Sequence, residues 1–167
     1  GIGTDAPEAP LHVFSGSAGA VTAHSNSIAA FERSGNAYLS ILTPNANERG
    51  ILFGDPSSFV SGGIIYNSGS VPNGLQFRTA VNTTRMVITE PGNVGIGTTA
   101  PISYARLHVL SANTGVVNAV RGETASPSGT GVVGYASATS GLAVGVAGET
   151  TSTSGVGVMG SASVATG

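Results

Sequence analysis

The chain has 167 residues and a mass of 16.3 kDa, with 26 Gly, 38 Ser plus Thr, no Cys, no Trp and no Lys. Charged residues are 8% and the net charge is −2, so there is no basic stripe for a nucleic acid. The lack of Cys excludes a disulfide framework, a Cys-ligated zinc, an iron–sulfur cluster and a thiol nucleophile, and the short apolar runs offer no membrane span and no signal-peptide core.

In chain order, the first residues form a motif, Gly1-Ile2-Gly3-Thr4-Asp5-Ala6-Pro7, followed by Leu11-His12-Val13. Helix signals are poor throughout. Val21 to Arg33, with Ser25 as an available cap, is the one helical window. The rest reads as short strands between turns. Strands are expected at Ala37–Leu42, Gly50–Phe53, Gly63–Tyr66, Leu75–Thr79 and Arg85–Thr89. Turns are expected at Pro44-Asn45, Asp55-Pro56, Asn67-Ser68-Gly69, Pro72-Asn73-Gly74 and Asn82-Thr83, where Gly and Asn accept positive φ and Pro presets φ. Strands recurring every 10–12 residues or so predict an antiparallel sheet or sandwich.

The opening motif then returns as Gly95-Ile96-Gly97-Thr98-Thr99-Ala100-Pro101, with Leu107-His108-Val109 behind it. The two copies differ by a two-residue insertion after the Pro, where a loop tolerates it. On an alternating strand, Leu and Val are expected to face in and both histidines out.

The last third repeats a shorter unit. Ala119-Val120-Arg121-Gly122, Gly131-Val132-Val133-Gly134, Gly145-Val146-Ala147-Gly148 and Gly157-Val158-Met159-Gly160 share the pattern small-Val-x-Gly. Gly122-Glu123-Thr124 returns as Gly148-Glu149-Thr150, and Gly134-Tyr135-Ala136-Ser137 as Gly160-Ser161-Ala162-Ser163. Turns follow at Ser128-Gly129, Ser140-Gly141, Ser154-Gly155 and Thr166-Gly167. Val120, Val132, Val146 and Val158 are expected to share one buried row. Each unit is too short to enclose a core, so the units either stack as a solenoid or meet around an axis shared by three chains. The chain reads as a piece of a longer, repetitive polypeptide.

Candidate chemistry is thin. Gly95-x-Gly97-x-x-Ala100 follows a strand as a dinucleotide fingerprint does, but Pro101 stands where the helix should start. No nucleophile elbow accompanies the many serines. Asp5, Glu8, Glu32, Glu48, Asp55 and Glu90 are spread one per turn or strand end, not paired as glycoside hydrolysis needs. His24 has no partner pattern, and the short repeats lack the Asp of a calcium-binding β-roll. Arg121 beside Glu123 is expected as a surface pair. No catalytic, cofactor or metal residues are assigned, and the chain is expected not to be an enzyme.

Glu90-Pro91-Gly92-Asn93-Val94-Gly95-Ile96-Gly97-Thr98-Thr99-Ala100-Pro101, followed by Leu107-His108-Val109, resembles a linker of bacteriophage tail fibres and related prophage or bacterial surface fibres. Many of those end in an endosialidase-type intramolecular chaperone. Gly74-Leu75-Gln76-Phe77-Arg78-Thr79 and Thr84-Arg85-Met86-Val87-Ile88 resemble their β-rich module, and the Gly-Val-x-Gly units their shaft repeats. The resemblance implies an all-β, elongated homotrimeric fibre. Residues 1–13 would end a preceding linker and 14–94 form a β-sandwich-like collar. Residues 95–115 would be an inter-module linker whose docking strand holds Leu107 and Val109. Residues 116–167 would be a triple-β-helix or β-prism-like shaft with the four valines on its axis. The implied role is structural, spacing and presenting a receptor-binding tip for host attachment. The implied setting is the virion or extracellular space. The implied partners are identical chains, other tail or baseplate proteins, and a host surface glycan or protein, with no nucleic acid and no membrane insertion. The cleavage chemistry of the chaperone domain carries over to no residue here. The alternative is a bacterial surface adhesin or appendage subunit that touches ligand through Asp55–Ser61 and Asn67–Asn73.

Overall fold

A computed structural model describes residues 1–161. The Thr166-Gly167 turn and Ala162-Ser163 of the last repeat lie outside the described residues. The chain divides after Ala112 into two compact units.

The first unit holds all the strands. Two of them, β1 (Leu11–Ser15) and β2 (Ala29–Arg33), pair in parallel. The Val21 to Arg33 window is therefore not a helix: its second half is β2. Ala30 and Phe31 are β1's partners, and the Ser25 region is a turn.

The other six strands form one open sheet in sequence order. They are β3 (Arg49–Asp55), β4 (Ser58–Ser68), β5 (Val71–Thr79), β6 (Thr83–Ile88), β7 (Val94–Ile96) and β8 (Leu107–Val109). All neighbours are antiparallel except β7 and β8. Four of the five expected strands lie in β3 to β6. The exception, Ala37–Leu42, is irregular and solvent-exposed, because among the described residues no strand is hydrogen-bonded to it to complete its backbone.

The expected Pro72-Asn73-Gly74 turn is also absent. The chain reverses one step earlier, at Gly69-Ser70. Asn67 and Asn73 both take positive φ, 61° and 52°, and the Asn67 Oδ1 accepts the Asn73 N–H at 3.0 Å. That makes a bulge at the end of a hairpin, and Pro72, lacking an N–H, is tolerated there.

The substantial contacts of each strand are with its immediate sheet neighbours. The sandwich expected of residues 14–94 is thus not formed by one chain, because no second sheet lies over the first. Among the described residues there is no helix long and apolar enough to cross a membrane.

The second unit contains no regular strand among its described residues. Its repeat units form no strand ladder with one another among the described residues. The chain instead folds into excursions pinched at the base by glycine pairs, as described below.

Candidate functional surfaces

The register of the six-stranded sheet sorts its side chains into two faces, since directly paired residues point the same way. One row runs Ile51, Ile64, Phe77, Met86, Ile96, Val109. The next row on that face runs Arg49, Tyr66, Leu75, Ile88, Val94, Leu107. Eleven of these twelve side chains are apolar, and none is buried. Ile51, Ile96 and Leu107 are 47%, 42% and 58% exposed. The one charge, Arg49, lies over the Tyr66 ring, its Cζ 4.6 Å from the centroid.

The row between them points to the opposite face: Gly50, Ile65, Gln76, Val87, Gly95, His108. Here Gln76 and Val87 are fully buried. Gln76 donates to the Ser68 Oγ, and its Oε1 accepts from Arg78 Nε at 3.1 Å and Thr84 Oγ at 2.8 Å. Arg78 continues to Glu48 at 2.8 Å. This polar face is satisfied by its own chain, while the apolar face is left open, which inverts the usual preference for burying apolar groups.

The two linker copies fold alike. Ile2 N–H donates to His12 C=O at 2.7 Å and Phe14 N–H to Ile2 C=O at 2.8 Å. In the second copy Leu110 N–H donates to Ile96 C=O at 2.9 Å. Gly3 and Gly97 have φ of 83° and 74°, and an added Cβ would meet the carbonyl of Phe14 or Leu110. The glycines of the false dinucleotide fingerprint are there for close chain passage.

The histidines face the opposite way from the expectation. His12 is 2% exposed, whereas Leu11 is 43% exposed. The reason is hydrogen bonding. The N–H of Glu8, just after Pro7, donates to His12 Nδ1 at 3.1 Å. His12 Nε2 therefore carries the proton and donates to Glu32 at 3.1 Å. The second copy repeats the first of these bonds: Ile102, just after Pro101, donates to His108 Nδ1 at 3.4 Å. The histidine is the inward fastener of the linker loop.

Sequence reasoning missed the grouping of Glu8, His12 and Glu32, which line a recess of about 160 Å³. Only the Pro-x spacing before the histidine signalled Glu8, and nothing signalled Glu32. The carboxylates are already engaged. Glu32 accepts the Ala18 N–H at 2.8 Å and Glu8 the Ala23 N–H at 2.6 Å. They fasten the 16–28 loop. No group of three metal-ligating side chains occurs among the described residues.

Of the two loops considered for ligand contact, Asp55–Ser61 is closed on itself. Asp55 accepts from the backbone of Ser57 and Ser58 and from the Ser61 hydroxyl. Its carboxyl is lowered to about 2, first by the Ser57 hydroxyl, then by the Ser57 backbone and the Ser61 hydroxyl. The Asn67–Asn73 loop borders a recess of about 240 Å³ lined by Asn45, Asn67, Ser68 and Pro72.

In the second unit, Val120, Val132, Val146 and Val158 are 67%, 68%, 65% and 69% exposed, so their own unit covers only about a third of each. A Cβ on Gly131 would lie 2.7 Å from the Gly122 carbonyl oxygen, on Gly145 2.8 Å from that of Gly134, and on Gly157 2.5 Å from that of Gly148. Each Gly-Val-x-Gly segment is thus joined to the next by an excursion with a closed glycine neck. The excursions repeat in detail. Gly129 N–H donates to Ser126 C=O at 3.1 Å, and Gly155 N–H to Ser152 C=O at 3.2 Å. The Arg121–Glu123 pair forms at 3.0 Å with both partners 68% exposed, a geometry worth about 0–1 kcal/mol.

These surfaces define an all-β chain whose apolar sheet face and valine row lack full cover from their own units. No family model matches the chain, and no curated protein matches its sequence.

Proposed function

We propose that this chain is a structural segment of a trimeric phage tail fibre, which spaces and presents a receptor-binding tip for host attachment. The observation that carries the reading is the open apolar face: eleven apolar side chains in two rows, none buried, opposite a polar face that is already satisfied. Identical chains that bring these faces together supply the missing layer of a collar. In the second unit Val120, Val132, Val146 and Val158 form the core of a shaft between identical chains, with the Ser- and Thr-rich excursions turned out to solvent. In this reading β8, with Leu107 and Val109, is the docking strand between modules. The chain carries no catalytic step and holds no cofactor. Its partners are two identical chains, other tail or baseplate proteins and a host surface glycan or protein, and its place is the virion or another extracellular fibre. Multi-angle light scattering on the full chain tests it: a mass of three chains is expected, and a single-chain mass at micromolar concentration with β-type circular dichroism overturns it.

The second reading, a bacterial surface adhesin, draws on the recess beside Asn67 and Asn45. Glycan-array binding that is lost in Asn67→Ala favours it over the spacer.

A further inference from the structure

We propose that the open edge of β3 is completed by residues 37–42 of a second copy of this chain, so that the copies exchange strands around a closed ring. The proposal rests on the trimeric reading above and adds which segments meet.

Two unsatisfied features of the first unit match each other. The first is β3 itself, which is hydrogen-bonded only to β4. Its outer edge runs seven residues, Arg49–Asp55, with ionised groups only at the two ends. Ile51, Leu52 and Phe53 are 47%, 54% and 56% exposed. A long, apolar, unpaired edge is a template for another strand, and folded proteins cover or blunt it.

The second feature is Ala37-Tyr38-Leu39-Ser40-Ile41-Leu42. It contains no Gly, Pro or charge, and its Tyr38 and Ile41 favour strands. It pairs with nothing in its own chain, and Tyr38 and Leu42 are 86% and 87% exposed.

The simplest solution, a hairpin between 37–42 and β3 of the same chain, is opposed by the fastening of the turn between them. Asn67 Nδ2 donates to the carbonyls of Asn45 and Asn47. Glu48 is held by Arg78 at 2.8 Å. Asn67 lies on β4 and Arg78 on β5, both on the paired side of β3. The turn is thereby drawn toward the sheet and away from the open edge.

A second copy resolves both features at once. The donated segment and the receiving edge are different surfaces, so the contact is head-to-tail, and a head-to-tail contact leaves no spare donor or acceptor only when the ring closes. A closed ring of identical chains also removes the exposed edge. The bonds gained are main-chain hydrogen bonds, with apolar side chains on both strands setting the fit.

The natural absence of Cys makes the test clean. Two double variants of the full chain, Leu39→Cys/Leu52→Cys and Ser40→Cys/Leu52→Cys, cover both registers, since a slip of one residue reverses the facing side chains. On oxidation, one of them is expected to give a covalent ladder of dimers and trimers on a denaturing gel. The N–H groups of Leu39 and Ser40 point to opposite edges, so one of Leu39→Pro and Ser40→Pro removes a ladder donor and is expected to raise the concentration at which the oligomer dissociates by about tenfold or more. If light scattering shows an oligomer but both double variants cross-link only within one chain or not at all, the strand exchange is wrong and the trimer stands. An unchanged dissociation concentration for both proline variants has the same meaning. A single-chain mass for the unmodified protein overturns the trimeric reading and this proposal together.

Discussion

Gly131 and Gly122 close the neck of the first excursion: a Cβ on Gly131 would stand 2.7 Å from the Gly122 carbonyl oxygen, closer than non-bonded carbon and oxygen tolerate. The oxygen is backbone and the Cβ is fixed by its own backbone, so no rotamer change relieves the clash. Gly131→Ala is therefore expected to force the neck apart and cost about 1–3 kcal/mol, as overpacking does. Gly160→Ala is the control, because among the described residues nothing lies within 4 Å of its Cβ position and its φ is not positive. Thermal unfolding followed by circular dichroism should separate the two variants, and equal melting temperatures would contradict the neck.

His12 and His108 occupy equivalent places but different surroundings, so they should differ in energetic weight. His12→Ala removes a buried ring and leaves the Glu8 N–H and the Glu32 carboxylate without their shared partner in a part-buried site, which costs about 1–2 kcal/mol. His108 is half-buried and makes one longer bond, so His108→Ala should cost less than about 1 kcal/mol. Urea unfolding of the two single variants measures the order, and a larger loss at position 108 would show that the linker is fastened by something else.

Asp55 provides the pH dependence. Its carboxyl is lowered to about 2 from 3.8 by hydrogen bonds that only the anion accepts fully. A carboxylate depressed on folding contributes its stability above the unfolded value and loses it as pH falls through the folded value. The β3–β4 turn should thus be intact above about pH 4 and should loosen between pH 3.8 and about 2. The expected carboxyl carbon titration of Asp55 by NMR has its midpoint near the lower figure, with the Ser57 amide proton shifting in step. A midpoint near 4, as for a free side chain, would mean the serines do not hold the carboxylate.

Local chemistry explains what was legible in the sequence. Runs rich in Val, Ile, Phe and Thr between turn residues located β3 to β6, because those strands pair with their sequence neighbours and need only short-range information. Ala37–Leu42 carries the same signal and was misread as a strand of this chain, since propensity says nothing about whether a partner lies alongside. The histidines were misread for a related reason. Alternation assigned Leu and Val to the inside, but the N–H of Glu8 and the carboxylate of Glu32 drew His12 inward. A residue 20 positions away leaves no local trace. The Pro72-Asn73-Gly74 turn failed by one step because two asparagines adopted positive φ and made a bulge out of turn residues. The repeats were legible as repeats, and the equal exposure of their four valines is the structural form of that periodicity. The glycine necks, which join positions 9 or 11 residues apart in chain, were not visible in a pattern of 12 and 14.

The two faces of the six-stranded sheet should respond oppositely to substitution. Val87 is fully buried on the polar face, so Val87→Ala removes two methyl groups from a filled site. The loss is about 1.5 kcal/mol from transfer alone, with a cavity contribution added. That loss belongs to the single chain and should not depend on protein concentration. Phe77 lies on the open face, half-buried, in the row with Ile64 and Met86. Phe77→Asp places a charge in the layer that identical chains are proposed to share, where an unpaired carboxylate has no compensating partner. It should abolish association while leaving the β-type circular dichroism of the sheet in place. Sedimentation equilibrium at two concentrations reads the difference: Val87→Ala should keep the assembled mass and melt earlier, and Phe77→Asp should sediment as one chain. A Phe77→Asp protein that sediments like the unmodified one would mean that this apolar face is not where the chains meet.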